Sequence, residues 1–560
     1  MADRANDGSA RLGNLARSPV RSAGPRYSGD RLNNPSGGLA LAAIAAVATA
    51  LLYEVASLEP ALWPCALLAP LPLLAAAPEI RTASVAQLAF MAYLIGNLGS
   101  WGGESFAVPL VNTFVSHLAG AAVFAAFVAC ATEATRRWSG LLAALVFPTF
   151  ETAFYFILGQ QSPHGTWGSP AYSQVDFVPL LQTASWLGMC GVMFIMSLLP
   201  AGLAVAWYRR RWNMDWKEPA ILAVGVFALA VIGGWIRMIR TPSTGSVRVA
   251  MVASDSLIPQ AESNDVTDAA DIVTLYAKLV SRVAGQGVQI VVLPEKVVGV
   301  APSYEWDVVK GFQRIASMAH VYLVVGINQL DRTPKKNIAV VFGPDGNIVA
   351  KYAKHHPIPD LEGDYKAGRK QAIFDAPWGR TAVLISQDLD FPDIARDLAA
   401  NGVLVVMAPA ADWAGSELIH EQMAVVRGVE SGFSIARSAR GGMVSATDDR
   451  GRQLVVQAPL SDKNAVAVAD LPMGTGPTLY SRTDDWFGRL CVIFTILLMI
   501  RLAISIWYAA RMRRMSAANR IAHPGVVSVD VMSAGQEEQN KVDEDEQRIY
   551  RPPTRPPQSS

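Results

Sequence analysis

Long apolar runs joined by short loops of alternating charge fill the first half of this chain, and nothing else in the sequence restricts its fold so strongly. About twenty apolar residues in a row cross a bilayer as a helix. Candidate spans lie at Leu39–Val55, Ala61–Ala77, Val85–Trp101, Val108–Ala131, Gly140–Leu158, Pro179–Tyr208 and Pro219–Ile236, with an eighth at Phe487–Tyr508. The second is short and rich in proline, and the sixth is long enough to tilt or to break at Pro200. The first run has no small-residue cleavage site behind it, so it reads as an anchor and not as a removed signal.

Loop charge orients such spans, because Lys and Arg are retained on the cytoplasmic side. Arg81, Arg136 with Arg137, Arg209 to Arg211, and Arg511, Arg513 and Arg514 follow the even-numbered spans. The tail before the first span carries six Arg against three Asp. The opposite loops, near Glu59, near Glu104 and over 160–178, have no Lys or Arg. Seven spans then place the next region outside the cytoplasm, with Arg237 and Arg240 as a lone exception. Arg501, inside the eighth span, either snorkels to the cytoplasmic face or meets a lipid headgroup. The polar ends, 1–37 and 515–560, are expected to be disordered cytoplasmic tails. The membrane part is then 38–240, the extracytoplasmic domain 245–472 and the last span 486–508.

The net charge of +1 points to no polyanionic partner, and there is no phosphate-cradling glycine loop or basic-aromatic stripe, so no nucleic-acid function is expected. All four cysteines, Cys65, Cys130, Cys190 and Cys491, fall in apolar stretches. The region from about Ser243 to Pro472 therefore has no disulfide framework, no cysteine-based metal site and no thiol nucleophile. His355 and His356 are adjacent and not spaced for one metal ion, so no metal and no cofactor is expected.

Within that region, short apolar runs alternate with helical patterns. The runs are Val247–Ala253, Val288–Leu293, Val321–Ile327, Ile338–Phe342, Thr381–Ile385 and Val403–Ala408, and the helical stretches are near 266–286, 304–319 and 415–431. Gly343-Pro344-Asp345-Gly346 signals a hairpin turn. Continuous apolar strands indicate sheets covered on both faces, hence an α/β sandwich. Three reactive groups stand at strand ends, where α/β proteins gather their chemistry. Glu295 closes Val291-Val292-Leu293-Pro294-Glu295, Lys354 follows Lys351-Tyr352-Ala353, and Ser386 ends Val383-Leu384-Ile385. Each alone reads equally as a solvated strand end.

Together, in this order, these residues resemble the Glu–Lys–Cys triad of the nitrilase, or carbon–nitrogen hydrolase, superfamily. Pro392 to Arg396 and Gly402 to Pro409 look like the stretches after the cysteine in that superfamily. Thr166-Trp167-Gly168, Tyr172-Ser173-Gln174 and Leu180–Phe194 narrow the resemblance to the apolipoprotein N-acyltransferase family. Lys354 to Pro359 with Glu362, and His420, Gln422, Met423, Arg427, Glu430 and Arg437, also fall as in that family. The likeness covers about residues 39–508.

The resemblance implies a multi-span α-helical membrane domain plus a nitrilase-type α-β-β-α sandwich on the periplasmic side of a bacterial inner membrane. It implies Glu295 as general base and Lys354 as oxyanion donor, with Glu362, Gln387, Asp388, Trp413 and Glu430 lining or supporting the pocket. It implies a phospholipid acyl donor and a lipoprotein N-terminus as acceptor. Ser386 departs from the pattern, standing where the family has its cysteine. Gln387 replaces an aromatic residue, Asp388 a glutamate and Arg440 an asparagine. A thiol near pKa ~8.5 lies about 4 units above a glutamate, whereas an alcohol near ~15.7 lies about 11 units above it. Three readings stay open: an acyltransferase or amidase working through Ser386, a catalytically silent lipid- or lipoprotein-binding relative, and a purely structural module. Trp413 is either pocket lining or packing.

Overall fold

A computed structural model of the chain describes residues 35–58, 60–99, 110–239, 245–359, 361–413, 415–459 and 463–522. Most of the two expected tails lies outside those residues, as do Glu59, Glu104, Arg240 and the loop around 100–109. Helix reaches further into both tails than expected, beginning at Pro35 and ending at Ala522.

The membrane part contains α1 (Pro35–Leu58), α2 (Trp63–Leu68), α3 (Leu71–Ala76), α4 (Thr82–Gly96), α5 (Leu110–Arg137), α6 (Gly140–Gln161), α7 (Met189–Arg211) and α8 (Lys217–Ile239). Among the described residues six helices are long and apolar enough to cross a membrane: α1, α5, α6, α7, α8 and the C-terminal helix Trp486–Ala522. The second expected span is not one helix. It is divided between α2 and α3 at Ala69 and Pro70, where proline removes a backbone donor. The sixth breaks, but not at Pro200, which sits inside an unbroken α7. The break comes before Met189, at Gly188, whose φ of +69° suits glycine and whose missing Cβ makes room for the Tyr480 ring.

α7 is the central helix. Its apolar window is 83% buried, against 22% for α8, so α7 packs on protein where α8 keeps a lipid-facing surface. Close approach of α7 to α8 depends on Gly202, where a Cβ would come within 2.4 Å of the Ala223 Cβ. Arg237, the charge that broke the loop pattern, donates to Gln182 and to the Asp449 carbonyl at 3.5 Å. It fastens the end of α8 to the sandwich domain, which explains a cation there without reference to topology.

Strands β1 (Ser246–Ser254), β2 (Ile290–Val292), β3 (Val298–Val300), β4 (Tyr322–Gln329), β5 (Lys336–Phe342) and β6 (Ile348–Ala353) build the first sheet. Strands β7 (Ala372–Ala376), β8 (Gly379–Val383), β9 (Val405–Ala411), β10 (Ser434–Arg440), β11 (Val444–Thr447) and β12 (Gln453–Gln457) build the second, and β13 (Asn464–Pro472) returns to the first. The orders are β13-β1-β2-β4-β5-β6, with β3 beside β4, and β12-β11-β10-β9-β8-β7. The turn expected at 343–346 joins β5 to β6, with Gly346 N–H donating to the Gly343 carbonyl at 2.8 Å.

β1 shows why its sequence does not alternate. Val247, Val249 and Met251 face the second sheet, while Ala250 and Val252 face α9 (Val266–Ala284) and α10 (Glu305–Ala319). Both faces are therefore dry. On the far side of the second sheet lie α11 (Pro392–Ala400) and α12 (Glu417–Ser431), completing an α-β-β-α sandwich. Met423, Val425, Val426 and Val429 of α12 pack in turn on Tyr172, Met189, Val192 and Met196 of the membrane part. This helix thus forms an apolar joint between the second sheet and the spans.

Candidate active site

Glu295 and Ser386 come from different sheets but meet the same strand end. The Glu295 N–H donates to the Ala410 carbonyl at 3.1 Å, and the Ser386 Oγ lies 3.5 Å from the Ala411 carbonyl. The close approach of the Glu295 backbone to β4 needs Gly326, where a Cβ would stand 2.3 Å from the Pro294 carbonyl oxygen and 2.7 Å from the Glu295 Cα. Ser386 has φ +45°, left-handed backbone that an ordinary side chain rarely adopts, and it starts a 3-10 turn over Ser386–Asp390. The strand therefore ends in a sharp corner with the hydroxyl on it.

Lys354 is 1% exposed, and its Nζ lies 2.9 Å from both Glu295 Oε1 and Glu362 Oε2. Lys296 pairs with Glu362 from the other side. Asn337 donates to Glu295 Oε1 and, at 2.9 Å, to Glu362 Oε1. Two buried carboxylates and two ammonium groups thus balance, which is the condition under which burial of charge is tolerated. Burial works to lower the Lys354 pKa, but Glu295 and Glu362 more than offset it and hold the ammonium well above its usual value. The bonds Glu295 accepts from Asn337 and Lys354 both use Oε1, leaving Oε2 for other work.

Burial works to raise Glu362, yet Lys354 and Lys296 hold it down at about 2. A group with a depressed folded pKa stabilises above its unfolded value, near ~4.3, and that stability is lost as pH falls toward 2. Thermal unfolding of the detergent-solubilised protein should therefore lose stability steeply between about pH 4.5 and 2, and Glu362→Gln should flatten that limb.

Asp388 does not face the lysine. Its carboxylate accepts from Tyr352 Oη at 2.8 Å and from the backbone N–H groups of His355 at 3.1 Å and His356 at 2.8 Å. It ties the loop after Lys354 to the Ser386 turn, a supporting role. Gln387 donates to the Pro163 carbonyl at 3.1 Å, reaching the loop that leaves α6. His356 stacks on Phe391, centroids 3.6 Å apart, so it packs in the loop. Trp413 stacks on Trp167 of the membrane part at 5.9 Å and meets the His420 ring edge-on at 4.9 Å.

Glu430 is not at this site. Its carboxylate pairs with Arg427 and accepts from the Met189 N–H at 2.5 Å. It borders a separate crevice of about 400 Å³, open space included, lined by Tyr155, Phe156, Met193 and Asp485 among others. Glu295, Lys354 and Ser386 do not line that crevice. Two members of the charge cluster, Lys296 and Asn337, were not expected from the sequence. Lys296 follows Glu295 directly, and Asn337 stands just before the apolar run of β5, so both carry a faint signal.

Residues 248–484 match the carbon-nitrogen hydrolase family, and residues 46–202 match the apolipoprotein N-acyltransferase N-terminal domain. The two matches together in one chain are decisive. The chain belongs to the apolipoprotein N-acyltransferase family, within the nitrilase superfamily. It is 25% identical over 359 residues to the apolipoprotein N-acyltransferase of Geobacter metallireducens, a stretch covering 58% of this chain and 68% of that one. To the Shewanella oneidensis protein of the same name it is 24% identical over 401 residues, 64% of this chain and 72% of that. Human omega-amidase NIT2 is 29% identical over 160 residues, 25% of this chain and 58% of its own. A crystal structure of Saccharomyces cerevisiae Nit3 overlays with a TM-score of 0.35 at 20% identity, covering 41% of this chain and 91% of Nit3.

Proposed function

We propose that this chain transfers an acyl group from a phospholipid to the α-amine of a diacylglyceryl-cysteine at a lipoprotein N-terminus, with Ser386 as the acyl-carrying residue. The observation that carries this reading is the buried, charge-balanced Glu295–Lys354–Glu362 cluster meeting the same strand end as a hydroxyl on a strained corner. Ser386 Oγ attacks the ester carbonyl, Lys354 stabilises the oxyanion, and Glu295 keeps Lys354 charged and is the base of the inherited scheme. The packing of α12 on the membrane part supports substrates that arrive through the bilayer. On the loop-charge pattern, 38–240 and 486–508 are the spanning segments, and 245–472 stands on the periplasmic side of a bacterial inner membrane.

The second reading is a silent relative that binds a lipid or lipoprotein. One observation favours it: the hydroxyl's partner is the Ala411 carbonyl, not Glu295. The two part in cells depleted of their resident acyltransferase and supplied with this chain, where mass spectrometry reads the lipoprotein N-termini. Triacylated N-termini that vanish with Ser386→Ala are the expected result. Diacylated N-termini with the wild type, turning triacylated with Ser386→Cys, support the silent reading.

A further inference from the structure

A hydroxyl needs a base closer to its own pKa than a carboxylate, and the helix packed against the Ser386 turn carries an imidazole. His420 is 5% exposed on the first turn of α12, and α12 packs against the Ser386–Asp390 turn. Its Nδ1 lies 3.0 Å from Asp412 Oδ1, within ion-pair distance though off the ideal hydrogen-bond line. Asp412 is itself held by Arg437. Burial works to raise the Asp412 pKa, but Arg437 and His420 more than offset it and keep the carboxyl charged. Trp167 at 4.8 Å and Trp413 at 4.9 Å flank the imidazole and fix its plane.

The connection to Ser386 runs through one strand end. The hydroxyl touches the carbonyl of Ala411, and the very next residue, Asp412, holds the imidazole. Asp390, four residues beyond Ser386, is pushed up to about 7 by burial, and the cations around it, His420, Arg427, Lys354 and Arg437, act against that rise. His420 Nε2 has no hydrogen-bond partner among the described residues and is not sealed among the buried polar atoms, so it is free to take a proton.

We propose that His420, oriented by Asp412, is the general base for Ser386, so that a serine–histidine–aspartate relay works beside the older glutamate–lysine pair. The relay rests on the acyltransferase reading and changes only where the proton goes. Imidazole, near pKa ~6.5, is about 2 units closer to a hydroxyl than a glutamate near ~4.3. In acylation, Oγ forms a bond to the ester carbonyl carbon and its proton passes to His420 Nε2. The tetrahedral oxyanion then collapses, and the departing lysolipid alkoxide takes that proton. In the second half the acceptor amine attacks the acyl-serine and gives a proton to Nε2, which returns it to Oγ as the C–O bond breaks. Asp412 is a positioning residue that selects the tautomer with Nε2 unprotonated.

The test uses the full chain in detergent with a fluorophosphonate, which forms a P–O bond to an activated serine and expels fluoride, and it needs no lipoprotein. Wild type is expected to label at Ser386, with His420→Gln slowing labelling at least 100-fold and Asp412→Asn slowing it as well. Thermal unfolding of each variant checks that it is folded. In the Ser386→Cys background, alkylation of the introduced thiol by iodoacetamide is expected to fall far more with Glu295→Gln than with His420→Gln. Loss of the same size from His420→Gln in the serine and cysteine forms would overturn the relay, since a merely structural histidine behaves that way. Full labelling of a folded His420→Gln variant would overturn it too, while leaving Ser386 as nucleophile. Wild type that fails to label at Ser386 overturns the nucleophile itself, and the relay with it.

Discussion

Ser386→Cys is expected to raise acyl-transfer turnover by on the order of 10²- to 10⁴-fold, the range over which matched acid–base chemistry acts. A thiol is about 7 pKa units more acidic than a hydroxyl, so far less of the barrier is spent on moving its proton. A thioester is also a better acyl donor to an amine than an oxygen ester. The gain depends on the rest of the site being ready, and the structure supports that readiness. Lys354 and Glu295 are 2.9 Å apart and buried, and Asp388 still fastens the lysine loop to the corner that carries residue 386. Measured with a fluorescent phospholipid donor and a diacylglyceryl-cysteine peptide, the cysteine form should lead by that margin. Equal rates for the two forms would mean that acyl transfer to residue 386 does not limit turnover.

Lys354→Met is expected to abolish turnover and to destabilise the sandwich by about 3–5 kcal/mol, the effect of removing one partner from a buried charge cluster. The substitution leaves Glu295 and Glu362 facing only Lys296, a net negative charge with 1–2% exposure at both carboxylates. The two effects are separable. Adding Glu362→Gln removes one of the stranded charges and should recover part of the thermal stability, while activity stays lost because the oxyanion donor is gone. A Lys354→Met protein with wild-type melting behaviour would mean that water or a counter-ion replaces the ammonium.

Much of this architecture is legible because its physics is local. The apolar strands β1, β2, β4, β5, β8 and β9 are dry on both faces, so they read as continuous runs, and the spans read the same way at greater length. β12 is hard to read because its apolar run, Leu454-Val455-Val456, is only three residues long, and Leu454 and Val456 stay exposed while Val455 packs on the core. The break at Gly188 escapes a sequence reading because proline is the obvious breaker, whereas the cause is a tertiary one, the Tyr480 ring. In the site, Glu295, Lys354 and Ser386 stand out as polar groups closing apolar runs. Asn337 and Lys296 gain their meaning only from being folded against Glu362, more than twenty residues away in sequence. The pairing of His420 with Asp412 brings together residues eight apart, a spacing that no sequence rule singles out. Asp388 reads in the sequence as a departure within the pocket, and its bonds to the lysine loop give it a supporting task instead.

Whether Ser386 carries the acyl group is decided by intact-protein mass spectrometry after incubation with a defined phospholipid. One added acyl chain is expected on the peptide containing Ser386, absent from Ser386→Ala and released by a small primary amine. A wild-type protein that stays unmodified, beside a Ser386→Cys protein that takes up the chain, would contradict the assignment.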